Sequence, residues 1–156
     1  VAVIYVSGDP LLTSAQTLAF GTNVEGKTEV GTLTITLLTR FPAAFSTYGK
    51  HARSGQLKPG GYWIWRDSKP QLMFLAVRQT PLSATRLRYV ESVVMTLARD
   101  YRTELLESVA IAPLAQGAEW TVMKPLITHW LGTSGLTVVV YERYMPGVRA
   151  EEKLLV

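Results

Sequence analysis

The sequence predicts an α/β protein, a three-layer α/β/α sandwich around a mixed, largely parallel central sheet. Short apolar runs made of strand formers recur along the whole chain, and their near-continuous apolar character is that of strands buried on both faces. Between them lie stretches with apolar residues three and four apart. Strands that alternate with helices in this way place helices on both sides of a parallel sheet.

The first run, residues 2–9 (AVIYVSGD), is a buried strand that stops at Ser7-Gly8-Asp9. Ligands in open α/β sheets bind outside the carboxyl ends of the strands, so Asp9 stands where a ligand-reading acid belongs. The plainer alternative is a turn, in which Gly8 supplies unusual backbone angles, Asp9 bonds its own backbone and Pro10 ends the strand. Residues 17–22 form a second buried strand that ends on Asn23, and the glycine-containing stretch 23–31 reads as a mobile loop. Residues 31–40 (GTLTITLLTR) alternate like a half-exposed strand, although Leu33, Leu37 and Leu38 also satisfy a helical stripe. Periodicity alone favours the strand.

Pro42 opens a helix that runs to Gly55. Residues 62–66 and 72–77 make a hairpin or edge pair around turn residues 67–70. Ser83 is a plausible N-cap for the longest helix, whose stripe runs from Leu87 through Val90, Val94 and Leu97 to Leu105. A short buried strand at 108–113, a small-residue loop at 114–118, a helix at 119–130 and a last buried strand at 136–141 complete the order.

With 156 residues the chain fits one domain, 1–144, followed by a C-terminal tail at 145–156. Hydrophobic residues make up 47% and charged residues 18%, a globular balance, and no apolar run reaches the ~20 residues of a membrane span. No secretory signal is legible, and a cytoplasmic protein without membrane partners is expected. The absence of Cys excludes thiolate chemistry, and two His far apart in sequence argue against a metal centre. The net charge of +4 is a mild bias toward anionic partners.

Four pieces in this order resemble the macro domains, in the branch of the DarG-type antitoxin domains and the terminal ADP-ribose glycohydrolase. They are Val6-Ser7-Gly8-Asp9, Ala19-Phe20-Gly21-Thr22-Asn23, Phe41-Pro42 with Tyr48, Gly55 and Gly60, and Pro113 with Gly117 and Trp120. The resemblance implies that the chain binds ADP-ribose, or ADP-ribosylated protein or nucleic acid, as a ligand and without a cofactor. It also implies a helix at 31–40 despite the alternating pattern. Gly8 and Asp9 would face the adenine, Asn23 the distal ribose, and Gly31 with Ala115, Gln116, Gly117 and Ala118 the diphosphate. Such a cradle is physically sound, because small residues let backbone N–H groups approach phosphate. Tyr141 is a candidate for the adenine rim, with a place in the core as its commoner use.

Departures from the family pattern bear on catalysis. Val30 and Thr32 stand where the first loop is usually small. Arg78 stands where the hydrolytic branch carries a lysine, and a guanidinium is not deprotonated to become a nucleophile. Asn23 and Glu119 remain as candidate catalytic residues, Glu119 being more readily explained as an acidic first-turn helix residue. The leading expectation is an ADP-ribose-binding domain with weak or no hydrolysis. The alternatives are an ADP-ribosyl hydrolase and an interaction module that has lost nucleotide binding.

Overall fold

The computed structural model describes residues 3–153. Ala2, expected to begin the first strand, and the apolar end of the tail at 154–156 lie outside the described residues. Six strands form one sheet: β1 (Val3–Gly8), β2 (Thr17–Asn23), β3 (Tyr62–Trp65), β4 (Gln71–Arg78), β5 (Ser108–Ile111) and β6 (Thr137–Tyr144), in the spatial order β1-β6-β5-β2-β4-β3. All neighbours are parallel except the β3–β4 hairpin at one edge. Four helices cover the two faces: α1 (Thr32–Arg40), α2 (Pro42–Arg53), α3 (Leu87–Asp100) and α4 (Gly117–Leu131).

Side-chain alternation divides the core into two layers. Met73, Leu75, Val138 and Val140 point to the side covered by α3 and α4, where Val90, Val93, Met123 and Ile127 meet them. Leu72, Phe74, Val139 and Tyr141 point to the opposite side, against Leu37 of α1 and Phe45 and Tyr48 of α2. The expected α/β/α sandwich is therefore present. Beneath α2 an aromatic cluster joins Phe20, Phe45, Tyr48 and Phe74, with the Tyr48 and Phe74 rings stacked at 4.7 Å. Stacked and edge-on pairs of this kind add about 0.5–1.5 kcal/mol beyond area burial.

Residues 32–40 are helical, against their alternation. Leu37 is the residue of α1 that reaches the core fully, with Leu33 and Leu38 packed beside it. The threonines that suggested a strand lie on the outside, where Thr36 and Thr39 donate to the carbonyls of Thr32 and Ile35 one turn back. Tertiary packing on the sheet overrides β propensity here.

Other boundaries moved. Ser83 is not the N-cap of α3, because it closes a turn with Thr80 through both backbone and side chain, and the helix starts after Arg86. The helix ends at Asp100, short of Leu105, which is exposed and adopts a left-handed backbone at φ 61°. α4 is the longer helix and begins at Gly117, two residues before the expected start, while β6 continues three residues beyond its expected end to Tyr144.

After β6 the chain turns back across the end of β1. The Met145 N–H donates to the Gly8 carbonyl at 2.8 Å, and the Asp9 N–H donates to the Val148 carbonyl at 2.6 Å. Ala150 packs on the α1 side of the core. Glu152 accepts from the hydroxyls of Thr13 and Tyr141 and from the Ser14 N–H. Residues 145–152 thus form a strap bound to the body of the protein.

Leu37→Ala should cost about 2–4 kcal/mol, because it leaves a cavity where α1 meets the sheet. A chemical-denaturation series reads this directly, and a loss under 1 kcal/mol would mean that Leu37 does not anchor the helix.

Candidate functional site

β2 and β5 are adjacent and parallel, yet the connections leaving them diverge. The chain after β2 goes to α1 on one face, whereas the chain after β5 goes to α4 on the other. A crevice opens at such a switch point, outside the carboxyl ends of the strands. Two loops flank it: residues 24–31 after β2 and residues 112–116 after β5.

Both loops end on an uncapped helix. Gly31 precedes α1 with φ 129°, and Gln116 precedes α4, whose first residue Gly117 has φ 61°. Neither helix start receives a side-chain hydrogen bond at its cap. The first N–H groups of a helix have no internal partner, and with the helix dipole they favour an anion. A Cβ at Gly31 or Gly117 would meet nothing within 4 Å, so the glycines are required by backbone angle and face open space.

A cavity of about 510 Å³ lies along the second loop. It is lined by Pro113, Ala115, Gln116 and Gly117, by Trp120, and by Glu142, Arg143 and Tyr144 at the end of β6. Glu142 is occupied within the protein, accepting from the Trp120 indole at 2.9 Å and from Lys124 at 2.9 Å. The indole bond first, and then the lysine, hold its carboxyl below the ordinary range. Arg143 is the exposed cation on this wall.

Tyr144 reaches the crevice because of a bulge. The β1–β6 register advances from Val6↔Tyr141 to Ser7↔Arg143, leaving Glu142 as the extra residue. Tyr144 then stands opposite Gly8 and turns toward Thr36 of α1. Burial first, and the Asp9 carboxylate second, raise its hydroxyl pKa. Tyr141, the residue singled out from sequence, is 1% exposed, with its ring in the core and its hydroxyl on Glu152. Simple alternation along β6 does not reveal the bulge.

The other sequence candidates take these positions. The Asp9 carboxylate accepts from the Leu11 N–H at 3.0 Å, capping a 3₁₀ turn at Pro10–Leu12, and from the Gly147 N–H of the strap at 2.8 Å. Gly8 lies directly under the strap, and a Cβ there would come within 2.8 Å of the Val148 carbonyl. Ala118 and Glu119 are exposed in the first turn of α4. Val30 projects into solvent at 84% exposure.

Asn23 is fully buried, and its amide uses its whole hydrogen-bonding capacity on the first loop. Oδ1 accepts from the N–H groups of Glu25 and Lys27, while Nδ2 donates to the Lys27 carbonyl and to Glu29, both at 2.9 Å. Tyr48 holds the Asn23 backbone, donating to its carbonyl at 2.6 Å, and burial pushes the Tyr48 pKa up to about 12. Glu29 also forms a two-pronged ion pair with Arg78, at 2.7 and 3.1 Å, and Arg78 donates to Thr85 at 2.6 Å. The loop expected to be mobile is therefore tied down. Sequence spacing does not show that Glu29 and Arg78, forty-nine positions apart, are partners.

No family model matches the sequence, nor does any curated protein. Solved structures do match. The macrodomain of Thermus aquaticus DarG superposes with a TM-score of 0.82 at 23% identity, over 90% of this chain and 97% of that one. The chain has the macrodomain fold. The macrodomain of Mycobacterium tuberculosis DarG gives a TM-score of 0.77 at 22% identity, over 93% of this chain and 98% of that one. Thermosipho africanus DarTG, solved in complex with ADP-ribose, gives 0.82 at 19% identity, over 98% of this chain and 44% of that one. Among the described residues of this macrodomain fold no helix is long and apolar enough to cross a membrane, and no group of three or more His, Asp or Glu is placed to hold a metal.

Glu29→Ala should destabilise the protein by about 1–3 kcal/mol, since it leaves a largely buried guanidinium without its counter-charge, held by Thr85 alone, and one Asn23 donor unpartnered. Hydrogen exchange should show faster opening at the amides of Glu25 and Lys27. Unchanged exchange there would mean that the ion pair does not hold the loop.

Proposed function

We propose that this chain is an ADP-ribose-binding macrodomain that recognises ADP-ribose free or attached to a protein or nucleic acid, with weak or no hydrolysis. The observation that carries this reading is the pair of helix starts without a side-chain cap, with positive-φ Gly31 just before α1 and positive-φ Gly117 opening α4, on the loops that leave adjacent strands. A diphosphate supplies the acceptors those N–H groups lack. The ADP-ribose complex of the structurally similar Thermosipho africanus protein supports the same ligand.

Gln116, Gly117 and Ala118 would hold the diphosphate from the second loop, with Gly31 opposite and Arg143 adding charge. Tyr144 rather than Tyr141 would flank the base. Each Asp9 oxygen already accepts one N–H, and a carboxylate has about four acceptor sites, so an adenine amino group would add a third bond. Arg78, held by Glu29 and Thr85, supplies no nucleophile. Asn23 would act by shaping the loop beside the distal ribose, its amide being committed to that loop. Glu119 is left as an acidic first-turn residue.

One feature favours a second reading, an interaction module that no longer takes nucleotide. The strap lies on Gly8 and Asp9, the two residues assigned to adenine.

Calorimetric titration separates the two readings. ADP-ribose should bind in the micromolar range or more weakly, and AMP more weakly still. Absence of heat with millimolar ADP-ribose would favour the interaction module. Gly117→Val should weaken binding at least tenfold. At φ 61° it should also cost roughly 1–2 kcal/mol of stability, so binding is measured well below its midpoint. Unchanged affinity in that variant would remove the diphosphate from the second loop.

A further inference from the structure

A second and larger cavity, of about 650 Å³, opens at the other end of the sheet. Gln16 and Gln71, on its wall, stand at the starts of β2 and β4, whereas the crevice lies at the finish of β2. Seven strand residues separate the two ends by about 20 Å. The volume is that of a small-molecule site.

Its charge is one-sided. Arg40 in the last turn of α1, Lys69 in the β3–β4 turn and Arg149 in the strap all line it, and no lining residue is acidic. None of the three makes an ion pair among the described residues, where Arg66, Arg78, Arg99, Lys27 and Lys124 all do. Glu152 borders the cavity through Thr13 and Ser14, but its two oxygens already accept from Thr13 at 2.6 Å, Tyr141 at 2.7 Å and the Ser14 N–H at 2.8 Å. Arg149 is positioned by one bond to the Leu12 carbonyl at 3.0 Å, which leaves its other N–H groups unused. Arg40 rests against the Phe41 ring at 5.5 Å. Three like charges drawn from separate parts of the chain repel one another unless an anion lies between them. Guanidinium forks match phosphate oxygens two at a time. Leu11 and Pro70 add apolar wall beside the charges.

We infer that this cavity is a second ligand site, for a small organic phosphate that carries two or more negative charges and sets them among Arg40, Lys69 and Arg149. The inference does not rest on the ADP-ribose reading of the crevice.

Titration with pyrophosphate, the minimal probe of that chemistry, tests it on the whole chain. Saturable binding is expected, weakened at least tenfold by Arg40→Glu and by Lys69→Glu, both exposed positions whose change spares the core. Lys50→Glu on α2 makes the same change of charge outside the cavity and should leave binding intact. Gly117→Val removes any pyrophosphate taken by the crevice, and the binding that Arg40→Glu and Lys69→Glu weaken should persist in it. The inference is overturned by absence of saturable binding at millimolar pyrophosphate or by equal losses in Lys50→Glu. It is equally overturned if Gly117→Val abolishes binding while the cavity variants do not, which would place the anion in the crevice. Binding of a single-stranded oligonucleotide with no response to pyrophosphate would replace the small ligand by nucleic acid and likewise sink it.

Discussion

The site depends on one buried amide. Asn23 ends β2 beneath the first loop, and four hydrogen bonds from its side chain set the course of residues 25–29. A polar group removed from water without partners costs on the order of 1–3 kcal/mol, so the loop must return to Asn23 in one conformation that satisfies it. That conformation brings Glu29 to Arg78 and delivers the chain to Gly31 and the start of α1. Gly26 allows the loop to lie against α2, where a Cβ would fall 2.8 Å from the Gly49 carbonyl. Below it, the Tyr48 hydroxyl and the aromatic cluster fix the backbone of Asn23 itself.

The crevice follows from topology rather than from any single residue. Two neighbouring strands send their chains to opposite faces, and the gap between the departing loops is lined by helix starts. Internal contacts bound the crevice at both ends. At one end Arg78 is held by Glu29 and Thr85, and at the other the strap lies over Gly8 and engages Asp9. Both contacts commit charged side chains to internal structure. The same strap brings Arg149 to the distant basic cavity, so one segment touches both regions.

Local chemistry made much of this legible. The buried strands, the Pro42 helix start and the hairpin were each announced by composition and spacing, and the structure bears them out. Residues 31–40 show the limit of that reading, since a strand-like alternation folded as a helix once Leu37 found the sheet. Ser83 had the right chemistry for a cap, but Thr80 and Pro81 drew it into a turn first. Tyr141 and Tyr144 are three apart on one strand, and only the bulge at Glu142 decides which of them enters the core and which faces the crevice.

The sequence by itself determined the layered architecture and the small-residue second loop, because burial periodicity and glycine content are written in consecutive residues. It also determined that Arg78 is no amine nucleophile, a matter of side-chain chemistry alone. Only the tertiary structure decided that Asp9 is tied to the strap, that the first loop is pinned, and that Arg40, Lys69 and Arg149 share one cavity. These are contacts between residues tens of positions apart, and the pattern of a chain along its length carries no record of which distant groups the packing of a sheet will bring together.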